Sequence, residues 1–102
     1  DRLLPVNSSD IVFFFFFEDG DYLTLSHKKS YRWQESLEQL EKQLNPDDFY
    51  RANRQFIIQR KYIEDIRHYF NGRLKIKMKT DSPEVIIVSK AKASEFKAWL
   101  SR

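Results

Sequence analysis

Cysteine is absent from this 102-residue chain, which rules out a disulfide scaffold and a thiolate metal site and suits a reducing cytoplasm. Glycine occurs twice and proline three times. With Gly20 and Gly72 far apart there is no glycine-rich phosphate loop and no nucleophile elbow. The two histidines, His27 and His68, are too distant for a His-x-x-x-His metal pair, so neither a metal nor a cofactor is expected, and the catalytic classes find no support. Long apolar runs are also missing. The longest, Ile11 to Phe17, is seven residues against the roughly 20 of a membrane span, and no basic flank precedes it as in a signal peptide. No membrane partner is expected.

What is present is charge, unevenly placed. Residues 1–50 hold 5 Lys/Arg against 10 Asp/Glu, net −5, whereas residues 51–102 hold 13 against 5, net +8, giving the overall +3. A basic half of this kind points to a polyanion partner; the alternative is two halves that neutralise each other in the fold. At 102 residues and 41% hydrophobic, the chain supports one domain, 1–102, with a single core.

The apolar pattern predicts strands over Leu3–Val6 and Ile11–Phe17, then a hairpin over Tyr22–Ser26 and Ser30–Trp33. Ser36-Leu37-Glu38-Gln39 is a capping box, with Leu37, Leu40 and Leu44 at helical spacing and Asn45-Pro46 as the stop. Phe49–Ala52 reads as a short strand and Arg54–Ile58 as a compact or helical turn. Ile63–Phe70 and Arg73–Lys79 form a hairpin closed by Asn71-Gly72, a dipeptide that tolerates the positive φ of a type I′ turn. A strand over Glu84–Val88 leads to Ser89, the cap of a last helix over 90–101 that buries Ala93, Phe96, Trp99 and Leu100. The expected fold is therefore mainly β with short helices (α+β): about eight strands, mostly antiparallel, and two or three helices.

Phe13 to Phe17 puts rings on both faces of one strand, which fits a central strand covered on both sides; an exposed patch for dimerisation is the alternative. Arg73, Lys75, Lys77 and Lys79 alternate with Leu74, Ile76 and Met78, forming either a phosphate track or a solvated face. Asn53-Arg54-Gln55 contains the side-chain types that pair with guanine and adenine edges, although for Asn53 tying up turn backbone is the favoured reading. Lys90 and Lys92 follow the capping Ser89. Cations oppose the helix dipole there, so they are better placed to hold phosphate than to stabilise the helix.

The run Phe49-Tyr50-Arg51-Ala52-Asn53-Arg54-Gln55-Phe56, together with Val88-Ser89-Lys90 and the ending Glu95-Phe96-Lys97-Ala98-Trp99-Leu100, resembles the LytTR DNA-binding domain of bacterial response regulators. The likeness covers nearly the whole chain. It implies an elongated fold of small antiparallel sheets whose loops enter successive major grooves of double-stranded DNA, at direct repeats and with a possible dimer on DNA. It also implies transcriptional regulation, a receiver domain and histidine kinase as partners, and a cytoplasmic chain excised from a longer protein. Carried over by position, it places Arg51, Asn53, Arg54 and Gln55 in a first recognition loop, with Arg54 at a base-contacting position, Gln55 at phosphate, and Gln59 and Lys61 just beyond. Ser89 and Lys90 fall in a second, with Lys92, singled out by its place after the cap, close behind. Two departures stand out. Lys90 lacks the bidentate geometry of an arginine and Ala91 cannot hydrogen-bond, so the second loop is expected to hold phosphate more than to read bases. A further contact loop of the family is here the acidic Glu18-Asp19-Gly20-Asp21. The competing reading is a protein-interaction module with a merely solvated basic face.

Overall fold

A computed structural model describes residues 5–102, in which eight strands form two antiparallel sheets with two helices. The larger sheet contains β1 (Ile11–Phe17), β2 (Gly20–Leu25), β3 (Ser30–Trp33), β4 (Phe49–Arg51) and β5 (Phe56–Gln59), in the order β3-β2-β1-β5-β4. The smaller contains β6 (Ile63–His68), β7 (Leu74–Met78) and β8 (Ile86–Val88), in that order. Helix α1 (Leu37–Gln43) follows β3, and α2 (Lys90–Leu100) ends the fold. The molecule is elongated, 46 × 29 × 24 Å.

β1 is central and covered on both faces, because successive side chains of a strand point to opposite sides. Phe13 and Phe15 enter a core shared with β5, β7, β8 and α2 through Phe56, Ile58, Leu74, Ile76, Val88, Phe96 and Trp99. Phe14 enters a second core with Leu23, Leu37, Leu40, Phe49 and Ile57, under α1. A register shift between Ile11 and Phe13 lets Val12 and Phe13 share the first core. The double cover ends before the strand does: Phe16 is 46% exposed.

Local signals were realised where their chemistry is local. Ser36 and Gln39 form the reciprocal capping box, and the Ser89 hydroxyl accepts from the Lys92 amide. In the β6–β7 connection Asn71 and Gly72 have φ of 59° and 75°, and the Arg73 amide donates to the Phe70 carbonyl at 3.3 Å. β6 stops at His68, so Tyr69 and Phe70 belong to this turn and not to the strand as expected. A larger correction concerns Arg54–Ile58, expected as a turn: Phe56–Gln59 is strand β5, paired with both β1 and β4. All four of its residues are buried, so it lacks the alternation that marks a half-exposed strand. Of the strand expected over Leu3–Val6, residues 3–4 lie outside the described part, and Pro5 and Val6 are in no strand.

Candidate nucleic-acid interface

The loop between β4 and β5 is braced from beneath by its own neighbours. Arg51 is 13% exposed. Its Nε donates to the Asn53 carbonyl at 2.7 Å and one terminal nitrogen to the Arg54 carbonyl at 2.8 Å. The guanidinium also pairs with Glu38 and Glu41 of α1, at 3.3 and 3.1 Å. Asn53 turns the chain: its Oδ1 accepts from the amides of Gln55 and Phe56, while Nδ2 donates to the Ile87 carbonyl of β8 at 2.9 Å. Lys92 reaches across from α2 to donate to the Arg51 carbonyl at 2.9 Å, its Nζ lying over the Tyr50 ring. Gln55 donates to Glu84 at 2.6 Å.

With these side chains engaged inside the protein, Arg54 points out. It is exposed, and among the described residues its guanidinium has neither an ion pair nor a hydrogen bond. A cleft of about 530 Å³ beside it is lined by Glu41, Arg51, Ala52, Asn53, Arg54, Arg73, Ile87, Ser89 and Lys92. Lys90 is exposed at the start of α2, and its stem lies against the β6–β7 turn: a Cβ added to Gly72 would come within 2.9 Å of Lys90 Cγ. One end of the molecule thus gathers Arg54, Arg73, Lys90 and Lys92 around the free amides of a helix start.

Seven of the nine expected residues converge on this end: Arg51, Asn53, Arg54, Gln55, Ser89, Lys90 and Lys92. Gln59 and Lys61 do not. Gln59 is 5% exposed at the far end of β5, its amide donating to the Ser8 and Ile11 carbonyls, so the expectation that it contacts DNA is corrected by burial. Lys61 is exposed beyond it, over the Tyr62 ring, separated from the Arg54 loop by a strand of roughly 13 Å. Arg73, expected only as one of four alternating cations, is the residue that joins the site unannounced. Its companions form a mixed-charge face: Lys77 pairs with Glu64 at 3.1 Å, and Asp65 and Arg67 stand opposite Lys77 and Lys75.

Electrostatics around the loop are not uniformly positive. Asp21 is pushed above its ordinary carboxylate range, first by burial and then by the neighbouring Glu38, with Arg32 and Arg51 opposing. Glu38 is lowered by the helix-start backbone amide and by Arg51. Burial and the hydrogen bond to Glu95 raise the Tyr50 phenol well above its usual value, so it stays a proton donor beneath Lys92. Among the described residues no group of three or more His, Asp or Glu is placed to hold a metal ion, and no helix is long and apolar enough to cross a membrane.

A two-sheet antiparallel domain with four cations and a helix start at one end carries the charge that suits a polyanion. Comparison with known proteins makes this specific: the LytTr DNA-binding domain family matches residues 1–101, and the chain belongs to that family. It is a DNA-binding domain of transcription regulation, from a family that is not catalytic. The chain is 32% identical over 100 residues to the sensory transduction protein LytT of Bacillus subtilis (strain 168), covering 98% of this chain and 40% of that protein. Its fold superposes with a TM-score of 0.81 on the LytTr DNA-binding domain of a Bacillus cereus protein described as a methyl-accepting/DNA response regulator. The identity is 25%, over 97% of this chain and 88% of the other.

Proposed function

We propose that this domain binds double-stranded DNA sequence-specifically, through the end that carries Arg54, Arg73, Lys90 and Lys92, as the output domain of a cytoplasmic two-component response regulator. The observation that carries the reading is Arg54: an exposed guanidinium without a protein partner among the described residues, on a loop that Arg51, Asn53 and Lys92 hold rigid. An arginine presented on a braced loop suits the O6 and N7 of guanine in a major groove. Lys90 and the amides after Ser89 hold phosphate and set the register, while Lys92, whose ammonium donates to the Arg51 carbonyl, adds its charge from beneath the loop. The names of the two similar proteins, a sensory transduction protein and a response regulator, support a place for this domain beside a receiver domain, and the proposal adds a histidine kinase as the source of the signal.

The test is binding to duplex DNA against salt, by fluorescence anisotropy. About four to six phosphate contacts give a log-log slope of about −4 to −5, since each releases condensed counterions. Arg54→Ala should lose roughly 1 to 3 kcal/mol on the cognate site and relax preference at one base pair. A slope near zero, or no duplex binding at low salt, would favour an interaction module with a merely solvated basic face.

A further inference from the structure

Among the described residues the most exposed large hydrophobic side chain is Phe70, at 67%, and it stands at the cationic end of the molecule. A lone exposed ring needs no explanation of its own; this one stands on a braced turn. Its turn is closed by the Arg73 amide on the Phe70 carbonyl and the Tyr69 amide on the Arg73 carbonyl. Asn71 and Gly72 occupy the positive φ region, and Gly72 has no room for a side chain against Lys90. The Arg73 guanidinium lies over both the Tyr69 and the Phe70 rings, 5.0 and 5.8 Å from their centroids, and the two rings are 4.4 Å apart. That same Arg73 lines the cleft beside Arg54 and Ser89.

Resting on the DNA-binding reading above, we propose that the Phe70–Arg73 turn is a third DNA-contacting element. Phe70 packs its ring on deoxyribose and base edges flanking the groove that Arg54 enters, and Arg73 holds a phosphate. The ring needs no hydrogen-bond partner there, and the braced turn beneath it means that little backbone freedom is lost on contact. Sequence periodicity hides the element, because Phe70 reads as the end of a strand.

The two side chains leave different signatures on the salt dependence. Phe70→Ala should weaken duplex binding roughly 5- to 30-fold, the scale of one aromatic contact to a nucleotide, with the salt slope unchanged because an apolar contact releases no counterion. Arg73→Ala should weaken binding and make the slope shallower by about 0.9. Thermal unfolding of each variant reports whether the fold is intact, and Phe70→Leu, which keeps apolar contact, should recover part of the affinity. If Phe70→Ala binds as tightly as the unaltered domain while Arg54→Ala is weakened, the proposal is overturned and the Arg54 reading stands. If the unaltered domain shows no salt-dependent duplex binding at all, it is the underlying reading that fails.

Discussion

Arg51 and Arg54 lie three positions apart with the same charge, yet the fold gives them opposite tasks. Arg51 donates to two loop carbonyls and pairs with α1, whereas Arg54 is left facing solvent. Glu38 and Glu41 are 73% and 54% exposed, so water screens most of those ion pairs and the hydrogen bonds to the Asn53 and Arg54 carbonyls dominate. Arg51→Ala should therefore destabilise the domain by about 2 kcal/mol, read from the midpoint of urea unfolding. Binding to all DNA sequences should fall together, since the loop itself loosens. Arg54→Ala should leave the urea midpoint unchanged. An Arg51→Ala domain with unaltered stability and lost affinity would instead make Arg51 a contact residue. The sequence places both arginines in one loop, where the residue types for base reading cluster. It cannot separate them, since the separating partners are backbone oxygens of the loop and carboxylates of a helix ten or more residues away.

At the scale of elements, strand β2 and the start of α1 bring Asp21 and Glu38 close enough for one carboxylate to raise the other. A folded-state value above the unfolded one means that the folded chain binds the extra proton as pH falls, so stability drops as pH rises from the ordinary carboxylate range through the raised value of Asp21. Above that window the ionised Asp21 is a standing cost. Asp21→Asn should raise the midpoint of thermal unfolding at pH 7, and the advantage should shrink as pH is lowered through the carboxylate range. A variant equally or less stable at pH 7 would show that Arg32 and Arg51 outweigh the burial. Elements governed by local chemistry were legible: the Ser36 box, the Ser89 cap, the Asn71-Gly72 turn and the alternation of β7 all depend on residues within a few positions of one another. β5 was not. Its buried residues sit between two sheet neighbours and two cores, so neither a period of two nor a helical period appears. Gln59 compounds this, because its amide is satisfied by carbonyls 48 and 51 positions away.

For the molecule as a whole, the division into an acidic first half and a basic second half becomes a division of surface. Four cations of the basic half, Arg54, Arg73, Lys90 and Lys92, gather where β5, β7, β8 and α2 meet, while the acidic α1 braces the loop through Arg51. On the proposed reading, such a domain has one recognising end and no two-fold axis of its own. Two copies that read the same sequence therefore face the same way only on direct repeats, spaced by multiples of roughly 10.5 bp so that both meet the same side of the duplex. Phe16, 46% exposed and the last well-exposed ring of a run otherwise covered by two cores, offers too little apolar surface to join the copies. On the proposed reading, a receiver domain is what links two copies, raising the effective concentration of the second. Inserting five base pairs between half-sites moves one copy to the opposite side of the helix. In footprinting, that insertion should abolish paired protection by a receiver-containing protein and leave the domain alone, which binds each half-site weakly and independently, unaffected. Tight binding of an inverted repeat by the isolated domain would show instead that the copies meet through a two-fold contact of their own.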